Sequence, residues 1–207
     1  MAYYLIEEDP DSEFQISLGT VPLGREERKA MLLGEMKFIP GEPLTIPLAY
    51  PPGENMSDFM NHKYPIISPR FKDLLEEAAT DRLFYREIYL EDDTYQYPYY
   101  YLAAPKYDCI DYKNSSCIKD ERMPGGIRIK KGFYIRNAAV PKADIFRAQG
   151  LSNRRLIISE RLKKLMEANN LKGIQYIETT KVSDMEETIE GLGGTQNESI
   201  KFGVYRL

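Results

Sequence analysis

The chain has 207 residues, of which 43% are hydrophobic, and this is enough for one substantial hydrophobic core. No apolar run approaches the ~20 residues of a membrane-spanning helix, and the acidic N-terminal segment lacks the basic region of a signal peptide. The formal net charge of −4 is unevenly distributed: residues 1–93 contain 9 basic and 19 acidic side chains, and residues 94–207 contain 19 basic and 13 acidic ones. Such an asymmetry either steers a charged partner or attracts two parts of one fold to each other.

The first 60 residues combine an opening strand with a proline-rich segment. Alternation in "AYYLIEE" predicts a strand, and "REERKAMLLGEM" predicts one or two helical turns. Between Phe38 and Asp58 the prolines exclude helix and remove donors from a strand ladder, which favours an extended surface segment. The sequence leaves the placement of residues 1–60 in the fold open.

The next part of the chain contains the first copy of a sequence repeat. "IISPRFKDLLEEA" begins at Ile66 and "IISERLKKLMEAN" begins at Ile157, and the two copies align without a gap. In each copy a β-branched run predicts a strand, a serine stands at the N-cap of a helix, and leucines at helical spacing give one apolar face. A strand follows each helix, so the sequence predicts two strand–helix–strand units, at residues 63–92 and 154–182.

The repeated serines, Ser68 and Ser159, can be read as helix caps or as nucleophiles. Neither lies in a glycine-rich elbow or has a histidine nearby in the sequence, so a cap explains them better. Two copies are also too few for a solenoid, which needs at least ~3 units. We therefore expect residues 1–207 to form one α+β domain with a mixed sheet, in which the two units are scaffold related by an internal repeat.

The tyrosine-rich segment after the first unit is the best candidate for binding. Tyrosine offers rigid apolar area with a polar tip and is favoured at interfaces. The same pattern is also typical of a half-buried strand whose tyrosines pack under the proline-rich loop. The candidate partner-binding residues are Tyr95, Tyr97, Tyr99, Tyr100 and Tyr101, with Glu91, Asp92 and Asp93 at the rim.

A basic segment, "RIKKGFYIRN", is the alternative binding surface. Basic residues interleaved with aromatic ones can bind phosphates and stack bases. Strand alternation explains the same residues, with Phe133 and Ile135 pointing inward and Tyr134 and Arg136 outward. The pI of about 5.3 also argues against a nucleic-acid surface.

Three further elements are predicted in the C-terminal half. "KADIFRAQ" predicts a short turn of helix before the second unit. "SDMEETIEGLGGTQ" predicts an acidic helix that ends at glycines, and the alternation of "SIKFGVYRL" predicts a closing strand.

The sequence lacks the residue combinations that common catalytic sites require. The single histidine, His62, and the two cysteines, Cys109 and Cys117, do not supply a usual zinc set, and no P-loop is present. We therefore predict no catalytic residue, no metal and no cofactor. Two cysteines without a signal peptide favour free thiols in a cytoplasmic protein. A small enzyme that uses only carboxylates, arginine and tyrosine stays an alternative.

From Tyr99 onward the sequence resembles a family of bacterial immunity proteins from polymorphic toxin systems. The resemblance covers about residues 64–180 and depends on three words in order: an acidic-plus-serine stretch, a "DIFR"-like word and a "SER…L…GLKG" helix. The first 60 residues match only in the opening strand. The matching positions are Asp108, Asp111, Ser115, Asp144, Ile145, Phe146, Arg147, Ser159, Glu160, Arg161, Leu165, Leu171 and Gly173.

The resemblance implies a cytoplasmic bacterial protein that binds and silences a cognate toxin domain without catalysis. Our first functional hypothesis is therefore a toxin-neutralising immunity protein that occludes its toxin, with no membrane partner. The alternatives are the carboxylate-based enzyme and a nucleic-acid-binding accessory protein. The identity of the toxin does not follow from the resemblance.

Overall fold

The structure is a computed structural model of the chain. It describes residues 2–14, 16–35, 37, 39, 41–52, 56–61, 63–78, 82–122, 126–140 and 142–183. The closing strand predicted at "SIKFGVYRL" and most of the acidic helix predicted before it lie outside the described residues.

The described residues form three α-helices and twelve β-strands. The helices are α1 (Arg25–Leu33), α2 (Pro69–Ala78) and α3 (Glu160–Ala168). The strands are β1 (Tyr3–Glu8), β2 (Leu44–Pro47), β3 (Phe59–Met60), β4 (Ile66–Ile67), β5 (Phe84–Glu91), β6 (Gln96–Ala103), β7 (Lys106–Tyr107), β8 (Cys117–Lys119), β9 (Ile127–Ile129), β10 (Ile145–Ala148), β11 (Leu156–Ser159) and β12 (Ile174–Glu178).

Ten of these strands form two five-stranded sheets, and β8 and β9 form a separate ribbon. The first sheet has the order β12–β1–β11–β10–β7, and the second has the order β2–β5–β6–β4–β3. Both sheets are mixed, because β7 runs parallel to β10 and β2 runs parallel to β5, whereas the other neighbours are antiparallel. The predicted single α+β domain with a mixed sheet is confirmed.

A shared core joins the two sheets. Phe59 and Ile67 of the second sheet, Ile158 of the first, and Phe71 and Leu162 of the two helices are fully buried in one cluster. Burial of a large apolar side chain contributes about 1.5–3 kcal/mol. The helices α2 and α3 therefore hold the two sheets together as one domain.

Two long connecting segments cover the remaining faces of the sheets. Met31 of α1 packs against the second sheet, in a cluster with Ile46 of β2 and Tyr101 of β6. Phe133 and Val140, from the segment between β6 and β10, pack in the cluster that covers the first sheet. The connecting segments consequently bury one face of each sheet, whereas Tyr85, Glu87 and Tyr89 on the other face of β5 are only half-buried.

The prediction of a helical turn at "KADIFRAQ" is wrong. Ile145–Ala148 forms strand β10, and all four of its side chains are buried. The strand lies inside the first sheet, between β11 and β7. A short apolar run does not distinguish strand from helix by its periodicity, and here the contacts with the sheet decide the conformation.

The repeated serines cap the two helices. The Ser68 hydroxyl oxygen accepts the Phe71 N–H at 3.2 Å, and the Ser159 hydroxyl oxygen accepts the Leu162 N–H at 3.1 Å. Each hydroxyl also donates to a buried aspartate, Asp58 in the first case and Asp144 in the second. Each serine therefore connects the start of a helix to the aspartate that directly precedes a strand of the sheet, β3 for α2 and β10 for α3.

We expect Ser68→Ala and Ser159→Ala each to lower the free energy of unfolding by about 1–2 kcal/mol, because each removes an N-cap acceptor and an aspartate's donor. Denaturant unfolding measures the change, and Ser17→Ala is the control at an exposed serine. Loss of biological activity should follow the loss of stability. An inactive variant as stable as the parent would contradict the scaffold interpretation.

Candidate functional site

The tyrosine-rich segment forms β6, which pairs with β5 in a long antiparallel hairpin. The register runs from Phe84 opposite Ala103 to Glu91 opposite Gln96, and Asp92 N–H donates to the Tyr95 carbonyl in the turn. This β5–β6 hairpin brings together all eight residues predicted to bind a partner.

Strand alternation places two of the predicted tyrosines in the core. Tyr99 and Tyr101 are only 4% and 1% exposed. Their hydroxyls donate to the carbonyls of Ser57 and Met31, at 2.7 and 2.8 Å. Burial raises the pKa of Tyr101 to about 12. These two tyrosines support the hairpin from within and present no surface to a partner.

The other end of the hairpin presents two tyrosines near the turn. Tyr95 is 64% exposed, and its ring centroid lies 6.4 Å from that of the half-buried Tyr97. The Tyr97 hydroxyl donates to Asp92 at 2.9 Å, and the same carboxylate accepts the N–H groups of Thr94 and Tyr95, each at 2.7 Å. The turn therefore fixes the position of the tyrosine pair.

Asp92 contributes hydrogen bonds to the turn as well as negative charge. Its hydrogen bonds from the Thr94 and Tyr95 N–H groups hold the pKa of the carboxyl below its usual range. Because the pKa is lower in the folded state, the ionised carboxylate stabilises the turn fully at pH values above the unfolded-state pKa. This stabilisation is lost as the pH falls through the lowered pKa of the folded state. Glu91 and the exposed Asp93 carry charge without this role in the turn.

The opposite face of the hairpin packs under helix α2 near its base. The Lys72 ammonium lies 5.2 Å from the ring centroid of the half-buried Tyr100 and 5.3 Å from that of Tyr85, within the range of cation–π attraction. Farther along this face Tyr89 is half-buried, and its hydroxyl donates to Glu87 at 2.6 Å. Sequence reasoning missed Tyr89, although the alternation of β5 places it opposite Pro98.

The exposed surface of the hairpin is acidic. Residues 84–103 contain four acidic side chains and a single basic one, Arg86. Arg86 is only 5% exposed and donates to the Glu42 carbonyl at 2.8 Å, so it adds little positive charge to the surface. The exposed part of the hairpin therefore carries a net negative charge.

The alternative basic segment presents fewer aromatic groups. Phe133 is fully buried, Ile135 forms a bridge with Ile110, and Tyr134 is 51% exposed. Arg136 pairs with Asp108 at 3.1 Å. The single exposed ring in this segment does not form a platform for successive bases.

Residues that carried the family resemblance hold the scaffold together. Asp144 accepts hydrogen bonds from Ser159 and from the Arg161 guanidinium. Arg147 is 6% exposed, and its guanidinium donates to the Leu33 carbonyl at the end of α1 at 3.2 Å. These residues define the fold, whereas the hairpin end lies outside the matching words.

Both cysteines are free thiols. Cys109 is fully buried, which raises the pKa of its thiol to about 12, and burial also raises the pKa of the half-buried Cys117. Because the thiolate is the reactive form, neither thiol is activated at neutral pH.

We expect a maleimide to modify Cys117 before Cys109 in the folded protein, because Cys117 is the more accessible thiol. Mass spectrometry of the time course checks the order. Unfolding without a reductant should then expose both thiols to the reagent. If neither reacts after unfolding, the two cysteines are bridged and the expectation of free thiols is wrong.

The described residues contain neither a candidate metal cluster nor a candidate membrane-spanning helix. No group of three or more His, Cys, Asp and Glu side chains there is arranged to hold a metal ion. No described helix has the length and apolar character needed to cross a membrane.

The structure is thus an α+β scaffold in which the end of one hairpin carries an exposed tyrosine and acidic side chains. The profile of the immunity protein family (Imm11) matches residues 6–181. The chain therefore belongs to this immunity protein family, which confirms the resemblance and extends it through the proline-rich N-terminal segment. Comparison with curated proteins found no match.

Proposed function

We propose that this protein neutralises a cognate toxin domain of a polymorphic toxin system by binding the toxin and occluding its active surface. Membership of the immunity protein family supports the role in toxin immunity. In this proposal the protein acts in the bacterial cytoplasm as a stoichiometric inhibitor and catalyses no reaction.

The proposed interface is centred on the end of the β5–β6 hairpin. Tyr95 and Tyr97 form its aromatic centre, and their positions are fixed by the bonds of Asp92 in the turn. Rigid aromatic side chains carry much of the affinity in protein interfaces. A standard interface buries about 800 Å² on each partner. The proposed contact therefore extends around the turn to the acidic rim and to Tyr89 and Pro98 on the opposite face of the hairpin.

The charge of the hairpin is the observation that carries this choice of surface. The acidic side chains Glu91, Asp92 and Asp93 lie in or next to the turn that carries the tyrosine pair, and Glu87 lies farther along the opposite face. The one cation of the hairpin is buried. Such a surface attracts a basic partner over several ångströms and speeds the encounter. We infer a toxin with a basic surface around its active site.

Co-expression with the toxin domain encoded beside this gene tests the proposal. We expect the host to survive, and we expect the two proteins to elute together as a stoichiometric complex in which the purified toxin is inactive. If the toxin is neutralised and no complex can be isolated, occlusion is wrong and an enzymatic antidote replaces it. If the host does not survive, the toxin is not the cognate partner or the proposed function is wrong, and purified components distinguish these two outcomes.

A further inference from the structure

We propose that the chain is a tandem duplication in which each half fills a strand-accepting slot in the other. The first half contains β1, a covering segment, β3, β4, α2 and β5, and the second contains β6, a covering segment, β10, β11, α3 and β12. The halves have exchanged their first strands, β1 and β6. This inference concerns the scaffold and does not depend on the proposed function.

The two sheets share the same order of equivalent strands. The second sheet contains the order β5–β6–β4–β3, and the first contains the order β12–β1–β11–β10. The paired strands run antiparallel in both series. In each sheet the slot between the strand before the helix and the strand after it is filled by the first strand of the other half.

The register of the two exchanged strands is the same to the residue. Tyr100 of β6 lies opposite Ile67 on one side and Glu87 on the other. Tyr4 of β1 lies opposite Ile158 on one side and Glu178 on the other. These two residues stand 91 positions after Ile67 and Glu87, so they are their counterparts in the second half. Two independent pairings thus assign Tyr4 and Tyr100 to one position, and they align "YYLI" from Tyr3 with "YYYL" of β6.

A lysine lies against two tyrosine rings at the equivalent position of each half. Lys72 of α2 lies between Tyr85 of β5 and Tyr100 of β6, at 5.3 and 5.2 Å from the ring centroids. Its ammonium also pairs with the glutamate four residues later at 2.7 Å, and the counterpart pair in α3 measures 2.6 Å. The counterparts of the lysine and its two rings are Lys163, Tyr176 and Tyr4, with distances of 5.3 and 5.1 Å.

The two helices bind each other reciprocally. Arg70 at the start of α2 donates to the Asn169 carbonyl at the end of α3, at 2.9 Å. Arg161 at the start of α3 donates to the Ala78 carbonyl at the end of α2. A cation near the last carbonyls of a helix is favourable. Identical contacts in both directions are the mark of a two-fold relation between the halves.

The aspartates that bind the cap serines extend the equivalence to a third pair of strands. Asp58 directly precedes β3 and Asp144 directly precedes β10. In both cases the aspartate carbonyl accepts the N–H of the cap serine, at 3.0 and 2.8 Å. Five elements of each half therefore occupy matching positions. The covering segments do not match in sequence, so the ungapped repeat in the sequence is confined to the two helices and the strands that flank them.

Exchanging the two helix sequences in the full-length protein tests the equivalence. Residues 68–76 read "SPRFKDLLE" and residues 159–167 read "SERLKKLME", and the exchange variant swaps them in place. Because total composition and core volume are conserved, we expect one cooperative unfolding transition with a midpoint within about 5 °C of the parent. A control with the same segments shifted by one residue should lose the transition, because it turns the apolar faces away from the core. An exchange variant that unfolds like the shifted control would overturn the proposal.

Native-state hydrogen exchange on the unmodified chain provides a second test. Since each slot needs a strand from the other half, amides of β4, β6, β11 and β1 should exchange through one common opening, at the free energy of global unfolding. The halves opening in separate steps would show that neither slot depends on the exchanged strand, and would also overturn the proposal. The expected equality does not involve the toxin, so a failed neutralisation assay leaves this test intact.

Discussion

Replacing Tyr95 with alanine is expected to weaken binding of the cognate toxin at least about thirtyfold, which corresponds to about 2 kcal/mol. The Tyr95 side chain is 64% exposed, so its removal should leave the free energy of unfolding unchanged. In the proposed complex its ring passes from water into the centre of the interface, where a large aromatic side chain contributes most. Calorimetric titration of the purified toxin measures the loss.

The control for this variant is Tyr134→Ala, which removes an exposed tyrosine from the basic segment. It should bind like the parent. If Tyr134→Ala loses affinity and Tyr95→Ala does not, the interface lies on the basic segment. A third variant, Tyr97→Phe, removes the hydroxyl that donates to Asp92 and keeps the ring, so it separates order in the turn from aromatic contact.

Local signals in the sequence predicted helices α2 and α3 correctly, but they did not predict strand β10 or the pairing of the strands. The serine caps and the apolar spacing of α2 and α3 are set within one or two helical turns, so Ser68 and Ser159 could be placed without knowledge of the sheets. The central position of β1 depends on Ile158 and Tyr176, more than 150 residues away. Nothing local in "AYYLIEE" distinguishes an edge strand from a central one.

The candidate site shows the same division. The composition of residues 91–101 indicated a binding surface, and alternation indicated that some of its tyrosines were buried. Which tyrosines are buried depends on the side of β6 that faces α1, because Tyr101 donates to a carbonyl of that helix. Tyr95 and Tyr97 could be identified as the pair next to the turn only when the turn at Asp92 and the register with β5 were known.

The burial of Arg147 could not be predicted from the sequence for a different reason. A charged side chain inside a strand is usually read as exposed, and Arg147 is buried, with burial lowering its pKa. The space it fills lies next to Gly34, where an added Cβ would come within 2.1 Å of the guanidinium. The glycine after α1 and the arginine of β10 are thus complementary, although 113 positions separate them in the sequence.

Reversing the charges of Glu91 and Asp93 together is expected to slow association with the toxin by at least about tenfold and to change dissociation little. These two carboxylates lie on the rim of the proposed interface, where solvent screens them, so they act mainly on the approach of a basic partner. Asp92 is left unchanged because its carboxylate orders the turn. Stopped-flow or surface-binding kinetics at low and high salt separate the two rates.

The matched control is Glu13→Lys with Glu121→Lys, which produces the same change in net charge at exposed sites outside the hairpin. Steering by the local field of the hairpin predicts that the double variant Glu91→Lys with Asp93→Lys loses most of the salt dependence of the association rate, whereas the control keeps it. An equal effect of both variants would mean that net charge alone guides the encounter. Unchanged association in the hairpin variant would show that the toxin approaches another face, and the acidic rim would then have no part in recognition.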